Sequence, residues 1–339
     1  MSSSSGDPYA WFGGRLATGL VDVTADLTAL DGSGWWAVVV DFEGAVRCAR
    51  FDDVREAALL AGRWPGVPVD AWISSMTRQE YVAAVGLVRD GIAVGDHYQV
   101  NLCRVLTSGL PDGTDSTAMS GLSALLAEGN PAPYAGVVHL PAHDLSLVSA
   151  SPELFLRRAG ELVESGPIKG TAATRDGLTD KDRAENVMIV DLVRNDLGAV
   201  ALTGTVEVPA LCAVEEHPGL VHLVSRVSAR LRADAGWPEL LAASFPPGSV
   251  TGAPKSAALD AIRALEPVPR GPYCGAVGWV DADRRTAALA VGIRTFWVSG
   301  GLLHFGTGAG ITWGSEPARE WDETELKARR LLAVASRAT

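Results

Sequence analysis

The alternation of hydrophobic and polar residues predicts short strands over the first two thirds of the chain. Four stretches are rich in β-branched or aromatic residues and are bounded by turn-forming residues, namely residues 35–41, 97–106, 145–149 and 153–158. Along the second of these, Gln99, Asn101 and Cys103 alternate with Tyr98, Val100 and Leu102. Since successive side chains of a strand point to opposite faces, Gln99 is predicted to lie on a polar face of its strand.

Longer stretches with an apolar residue at every third or fourth position predict helices. Such stretches cover residues 79–92 and 180–197, and each is followed by a glycine that favours a helix end, Gly95 and Gly198. A last helix is predicted to begin near Ser315. Because strands and helices do not alternate regularly, the predicted fold class is α+β, a single large domain of antiparallel β-sheets flanked by helices.

Composition gives no sign of a division into separate domains. The chain has 339 residues, of which 47% are hydrophobic and 20% are charged, so it is able to bury a substantial core. Its stretches rich in proline and glycine are too short to act as linkers. We therefore predict an N-terminal region, residues 1–75, that is continuous with the core, and a main domain over residues 76–339.

Charge and cysteine content restrict the class of protein further. The formal net charge of −11 argues against nucleic acid and anionic membranes as partners. No apolar run predicts a membrane span, and the serine-rich N-terminus lacks the features of a secretory signal. The four cysteines show no CxxC spacing, which predicts reduced and mostly buried thiols. Together these features predict a cytoplasmic protein.

Two acidic pairs at helical spacing are candidates for a metal site. Asp182 and Glu185 lie in the predicted helix 180–197, and Glu320 and Glu323 lie in the last helix. Residues three apart share one helix face, and facing carboxylates suit a hard divalent cation. A single acidic pair is more often a solvated helix face, so the spacing alone leaves both interpretations open.

Two further residues are candidates for acid–base or nucleophilic chemistry. Lys169 stands between a Pro-Ile pair and a glycine, and a lysine desolvated there can lose its proton and act as a nucleophile or base. The alternative is an exposed lysine at a turn. Glu153 ends a Ser-Pro-Glu turn between two predicted strands, and as a general acid it would need a raised pKa. Most turns of this composition are only turns.

The glycine-rich stretch from Gly306 to Gly310 excludes two nucleotide-binding motifs. The third glycine of a dinucleotide fingerprint would fall at Ile311, no helix is predicted to open there, and the GK[ST] of a P-loop is missing. The remaining hypothesis is a loop whose bare N–H groups hold a carboxylate.

Read in order, these elements resemble the chorismate-utilising enzymes, among them anthranilate synthase component I and the aminodeoxychorismate, isochorismate and salicylate synthases. The resemblance covers about Ser75 to the C-terminus and rests on these motifs: Tyr98-Gln-Val-Asn-Leu102, Ser151-Pro-Glu153, Pro167-Ile-Lys-Gly-Thr171, the run from Asp182 to Gly198, His222-Leu-Val-Ser225, Phe245-Pro-Pro-Gly-Ser-Val-Thr-Gly-Ala-Pro-Lys255, Arg270-Gly-Pro-Tyr-Cys-Gly275, Gly292-Ile-Arg-Thr295, Gly308-Ala-Gly310 and Asp322-Glu-Thr324. It implies the fold of anthranilate synthase component I, with residues 76–339 as the catalytic domain and residues 1–75 as a shortened N-terminal region.

Two positions indicate which kind of member the chain resembles. Isochorismate and salicylate synthases have a water-activating lysine where this chain has Gln99, so the resemblance is to the aminating members. Anthranilate synthases have alanine where this chain has Lys169, so the motif looks like that of the aminodeoxychorismate synthases. The alternatives are an anthranilate synthase component I, a 2-amino-2-deoxyisochorismate synthase, or a catalytically silent binder of chorismate-like acids.

The resemblance also implies roles for individual residues. Lys169 would attack C2 of chorismate and expel the C4 hydroxyl, with Glu153 as the general acid and then the base. Ammonia would enter at C4, supplied by a separate glutamine amidotransferase, since the chain carries no nucleophile elbow of its own. Mg²⁺ would be bound by Glu185 and Glu323.

The other implied site residues surround this centre. Asp182 and Glu320 would stand behind the two metal ligands. The substrate-binding positions implied by the resemblance are Gln99, Gly170, Thr171, His222 (near C4), Tyr273 and Arg294 (on the enolpyruvyl carboxylate), Gly308 and Gly310 (through main-chain N–H groups), and Lys327 (a further cation).

Overall fold

A computed structural model describes residues 6–172, 174–217 and 220–337 of the chain, without the side chains of Thr171, His217 and Leu220. Within these residues, eighteen strands belong to one sheet. The strands are β1 (Tyr9–Phe12), β2 (Arg15–Thr24), β3 (Trp35–Val40), β4 (Val46–Glu56), β5 (Ile73–Ser74), β6 (Gln99–Gly109), β7 (Tyr134–Leu140), β8 (Leu145–Ser151), β9 (Leu154–Ala159), β10 (Leu162–Gly166), β11 (Ile168–Ala172), β12 (Glu207–His217), β13 (Leu220–Arg230), β14 (Gly252–Ala253), β15 (Ala276–Asp281), β16 (Thr286–Val291), β17 (Thr295–Ser299) and β18 (Leu302–Ile311).

Six α-helices pack around this sheet in the described part of the chain. They are α1 (Arg78–Val94), α2 (Ala118–Gly129), α3 (Asp180–Gly198), α4 (Trp237–Ser244), α5 (Lys255–Leu265) and α6 (Pro317–Ala335). None of the described helices combines the length and the apolar composition that crossing a bilayer requires.

The order of the strands explains how distant segments meet. The antiparallel pairings run without a break from β13 through β10, β9, β16, β15, β3, β4, β2, β1, β7, β8, β17 and β18 to β6. At one end β11 and β12 flank β13, and at the other end β5 and β14 flank β6. The sheet curls so that these two ends approach each other. Their proximity is shown by Lys169 of β11, which contacts Ser249 just before β14.

The predicted fold class is confirmed, and the helix ends follow from local chemistry. α1 begins with a capping box between Thr77 and Glu80 and ends at Gly95, whose φ of 87° suits glycine. α6 begins at Pro317, close to the predicted start near Ser315; Glu316 is its cap, and proline is tolerated in the first turn. The predicted boundary at residue 75 stays a prediction.

Both faces of β6 are buried. Gln99, Asn101 and Cys103 do share a face that is polar in part, as predicted, and the Asn101 amide donates to Cys103 Sγ at 3.1 Å. The prediction that the strand begins at residue 97 is wrong, since β6 begins at Gln99 and Tyr98 is 70% exposed. Three of the four cysteines are buried, which confirms the prediction of mostly buried thiols.

Candidate active site

Lys169 stands on β11, at the point where the two ends of the sheet meet. Its ammonium donates to the main-chain oxygen of Ser249 at 3.2 Å. Burial lowers the pKa of Lys169, and the carboxylates of Glu185 and Glu153 oppose this shift. A lowered pKa increases the fraction of neutral amine, which is the nucleophilic form. The structure therefore contradicts the alternative of an exposed lysine at a turn.

The glycine after Lys169 allows a helix to approach β11 closely. Gly170 has a φ of +79°, and a Cβ built on it would lie 2.8 Å from the Cβ of Asp182. The first turn of α3 therefore packs directly against the backbone of β11. Asp182 itself completes a capping box with Thr179, whose main-chain N–H it accepts at 2.8 Å.

Glu153 lies between β8 and β9 and is only 4% exposed. Its carboxyl accepts from the main-chain N–H of Ile168 at 3.4 Å. Burial raises the pKa of Glu153 to about 7, against the opposing effects of Ser249 and Lys169. A carboxyl with this pKa is able both to give and to take a proton near neutral pH.

We expect Glu153→Gln to stabilise the fold at pH 8 but not at pH 5. The folded pKa of about 7 exceeds the ordinary 4.5, so the folded protein retains a proton between these values that the unfolded chain has lost. Stability contributed by Glu153 therefore falls as pH rises from about 4.5 to about 7, by about 2–4 kcal/mol, and stays low above that. Urea unfolding at both pH values measures this difference, with Glu207→Gln as an exposed control. An equal effect of Glu153→Gln at both pH values would contradict the raised pKa.

Gln99 and Gly310 form the opposite wall of the site. A Cβ built on Gly310 would lie 2.7 Å from Nε2 of Gln99 and 3.6 Å from Nζ of Lys169, so any larger residue would intrude between these groups. The Gln99 side chain is fully buried, and within the described residues neither its Nε2 nor its Oε1 has a hydrogen-bond partner. Buried amides are normally hydrogen-bonded, so these two atoms mark a place where a polar ligand fits.

The glycines from Gly306 to Gly310 lie within β18 rather than in the predicted loop. β6 pairs with the whole length of β18, but β17 pairs with β18 only over residues 302–305. The far edge of the strand therefore has no neighbouring strand from Gly306 onward among the described residues. The ammonium of Lys327 donates to the main-chain oxygen of Gly308 at 3.1 Å.

The acidic pairs of α3 and α6 converge on Lys169. Glu185 and Glu323 both act on the charge of its ammonium. Each also contacts a lysine one helical turn away. Nζ of Lys181, one turn before Glu185, lies 3.6 Å from it, and Nζ of Lys327, one turn after Glu323, lies 2.6 Å from it. Burial raises the pKa of Glu320, and the nearby Glu323 raises it further.

These carboxylates fit a magnesium ion in chemistry, although they do not form a closed cage. Among the described residues, no three His, Cys, Asp or Glu side chains are already grouped as metal ligands. Mg²⁺ is commonly held by one or two carboxylates together with waters and substrate oxygens. Glu185 and Glu323, on two helices beside one lysine, supply such a donor set. Mutual repulsion between Glu320 and Glu323 is a further reason why a cation suits this place.

The structure describes the side chains of three more predicted substrate-binding residues. Arg294 has a φ of +52° and donates to Oδ1 of Asn130 at 3.4 Å. Burial and the nearby Arg330 lower the pKa of Arg294. No contact among the described residues joins Arg294 to Lys169. The ring of Tyr273 packs against Gly306 and is 6% exposed. His222 is buried on β13 opposite Thr171, whose side chain is outside the described residues.

Ser249 is the site residue that the sequence did not single out. From a short turn of residues 248–250, its main-chain oxygen accepts from Lys169, and it lines the same cavity as Glu153. The signal that could have found it is its motif, since Ser249 is the polar residue between two prolines and a Thr-Gly pair in the quoted run that ends at Lys255.

The sequence comparison identifies the family. Residues 65–333 match the family described as chorismate binding enzyme. The chain belongs to this family. The predicted resemblance is thereby confirmed, and so is the expectation that the chain is an enzyme that binds chorismate.

Relatives of this chorismate binding enzyme carry two kinds of name. This chain is 37% identical over 316 residues to aminodeoxychorismate synthase component 1 of Salmonella typhimurium, and the match covers 88% of this chain and 68% of that protein. It is also 39% identical over 273 residues to an anthranilate synthase component 1 of Haloarcula marismortui, covering 76% of this chain and 54% of that protein.

Solved structures agree on the fold of this chorismate binding enzyme. An isochorismate synthase from Bacillus anthracis matches with a TM-score of 0.79 at 24% identity, covering 98% of this chain and 96% of that one. Anthranilate synthase component I from Streptococcus pneumoniae matches with a TM-score of 0.73 at 22% identity, covering 98% and 82%. At this level of identity the likeness concerns the fold alone.

Proposed function

We propose that the chain aminates chorismate at C4 and produces 4-amino-4-deoxychorismate. The observation that carries this proposal is the amine of Lys169, desolvated at the junction of the two sheet ends with Glu153 and Gln99 around it. A lysine with a lowered pKa is suited to nucleophilic attack, and an ordinary surface lysine is not. The relatives named aminodeoxychorismate synthase component 1 support the same activity.

In the first half of the proposed reaction, the neutral amine of Lys169 attacks C2 of chorismate. The ring double bonds shift, and the C4 hydroxyl leaves as water after receiving a proton from Glu153. In the second half, ammonia attacks C4 and the amine of Lys169 leaves C2, while Glu153 takes up the proton that ammonia loses. The balance is chorismate and ammonia to 4-amino-4-deoxychorismate and water. The pKa of about 7 allows Glu153 to serve in both halves.

Glu185 and Glu323 are the residues that we propose to hold Mg²⁺, with Asp182 and Glu320 behind them. The ion would neutralise the ring carboxylate of chorismate, which a chain with a net charge of −11 otherwise repels. Lys327 lies beside Glu323 and offers a further positive charge to the dianion.

Anthranilate synthesis is the second candidate. Relatives named anthranilate synthase component 1 reach 39% identity, so overall similarity does not separate the two activities. Lys169 is the feature that favours amination at C4, because direct attack of ammonia at C2 requires no nucleophilic lysine.

We expect turnover of chorismate with an ammonium salt and Mg²⁺, and almost none with glutamine until an amidotransferase is added. Ammonia is the proposed nucleophile, and its concentration rises with pH, so the rate with ammonium rises toward alkaline pH. Chromatographic separation of the products distinguishes 4-amino-4-deoxychorismate from anthranilate. Anthranilate as the main product would refute the proposed regiochemistry, and turnover of glutamine by the pure chain would refute the need for a partner.

A further inference from the structure

We propose that Arg104 and Thr307 are positioning residues for helix α6, which they hold at Thr324. The two residues stand opposite each other on neighbouring strands, Arg104 on β6 and Thr307 on β18. Nε of Arg104 donates to Oγ1 of Thr324 at 3.0 Å, and the hydroxyl of Thr307 donates to the main-chain oxygen of Thr324 at 2.9 Å. They thereby fix Glu323 and Lys327 over the site. The inference rests on the proposed function only in the roles given to these last two residues.

The contacts to Thr324 lie in the interior of the protein. Thr324 is fully buried, and Arg104 and Thr307 are buried as well. The Thr324 hydroxyl also donates to the main-chain oxygen of Trp321 at 2.8 Å, and Cζ of Arg104 lies 4.1 Å from the centre of the Trp321 ring. Nη2 of Arg104 pairs with the carboxylate of Glu325 on the same helix. Removing one partner leaves a buried polar group unpaired, so these contacts oppose local opening of α6.

The two halves of α6 are held in different ways. In the second half the buried residues are apolar: Ala328, Leu331, Leu332, Val334 and Ala335. In the first half they are Glu320 and Thr324, both polar. Polar side chains gain little from removal from water alone, whereas hydrogen bonds are directional and fix an orientation. The position of the first half therefore depends largely on the hydrogen bonds at Thr324.

Glu323 and Lys327 depend on that position. Glu323 precedes Thr324 in the chain, and its Oε1 lies 2.6 Å from Nζ of Lys327. The same Nζ donates to the main-chain oxygen of Gly308, the residue after Thr307 on β18. A shift of α6 at Thr324 would therefore move both charged groups relative to this strand. Mg²⁺ demands near-ideal octahedral geometry, so such a shift would weaken its binding.

The first test is amide hydrogen exchange on the full chain without chorismate or Mg²⁺. Thr324→Val removes the hydroxyl at nearly constant side-chain volume and leaves Nε of Arg104 without its acceptor. We expect exchange in residues 321–326 to become about tenfold faster, because a buried hydrogen bond is lost there. Residues 329–335, which are held by apolar contacts, should exchange as before. Thr324→Ser keeps the hydroxyl and should exchange as the wild type does.

Further variants assign the effect to the two strands. Thr307→Val removes the other contact, is expected to act in the same way, and serves if Thr324→Val does not fold. Arg104→Lys and Thr324→Val break one shared contact, so the double variant should exchange no faster than the more affected single variant. Arg319→Ala is the matched control, because Arg319 also pairs with a carboxylate of this segment, that of Glu316, but is 83% exposed. It should leave the exchange unchanged.

The second test connects the position of α6 to the site through calorimetric binding of Mg²⁺ in the presence of chorismate. Thr324→Val should bind Mg²⁺ about tenfold more weakly, because the support behind a proposed ligand is lost. Thr324→Ser and Arg319→Ala should bind it as the wild type does. At saturating Mg²⁺ the turnover of Thr324→Val should match that of the wild type, which a general loss of structure would not allow.

Unchanged exchange in both Thr324→Val and Thr307→Val would overturn the proposal, and so would equal acceleration in Arg319→Ala. Faster exchange with unaltered Mg²⁺ affinity would overturn the connection between this contact and the site. A wild-type chain that binds no Mg²⁺ would refute the proposed metal instead. The exchange experiment needs neither metal nor turnover, so it would still decide whether Arg104 and Thr307 hold α6.

Discussion

Replacing Lys169 with alanine is expected to reduce formation of 4-amino-4-deoxychorismate by more than about a thousandfold, since the nucleophile is lost. Gln99 and the carboxylates of α3 and α6 remain, so direct attack of ammonia at C2 and slow release of anthranilate become the expected residual activity. Product analysis with ammonium as the nitrogen source measures both changes in one experiment.

The covalent step gives this prediction a direct readout. When chorismate is added without ammonia, the wild-type chain should gain the mass of chorismate less one water. The chain has four lysines, Lys169, Lys181, Lys255 and Lys327, so peptide mapping assigns the adduct to one of them. Lys181→Ala is the matched control, because Lys181 is exposed and lies on the solvent side of Glu185; its adduct should form as in the wild type.

Lys169→Arg decides between a nucleophile and a fixed positive charge. A guanidinium keeps the charge but does not deprotonate in a protein, so no adduct is expected and the rate should fall as in Lys169→Ala. A Lys169→Arg variant that makes 4-amino-4-deoxychorismate at nearly the wild-type rate would show that Lys169 only orients a carboxylate.

Removal of Mg²⁺ is expected to abolish turnover, and Glu185→Ala or Glu323→Ala should reduce it by more than about a hundredfold. The two carboxylates lie on different helices, so losing either one leaves the proposed ion with half of its protein ligands. The measurements are turnover against Mg²⁺ concentration and calorimetric binding of Mg²⁺ in the presence of chorismate.

Asp191→Ala is the matched control for the metal. It removes a carboxylate from the same helix as Glu185, but its side chain is 80% exposed and pairs with Arg194. It should bind Mg²⁺ as the wild type does. Full activity in excess chelator would remove the metal from the proposal, whatever the variants do.

Much of the local structure could be predicted from the sequence. The helices predicted over residues 79–92 and 180–197 are present as α1 and α3. They could be predicted because apolar periodicity and the following glycines are local signals. The start of β6 was predicted two residues early, since nothing local shows that Tyr98 points to solvent. Strand pairing was beyond the sequence, because partners such as β3 and β15 lie far apart in the chain.

The same division applies to the site. The sequence shows which residue types are available: the Lys169 motif, the two acidic pairs and the glycines of β18, in the order typical of a chorismate binding enzyme. Each of these had an ordinary structural alternative, because a motif carries no information about the solvation of its side chains.

The chemical state of those residues depends on the tertiary structure. Lys169 comes from one end of the sheet and Gln99 from the other, and the curl of the sheet places them on either side of Gly310. The same packing buries Glu153 and places Ser249 in the same cavity. The physical reason is that a pKa depends on solvent exclusion and on neighbouring charges, and both are supplied by segments that are distant in sequence.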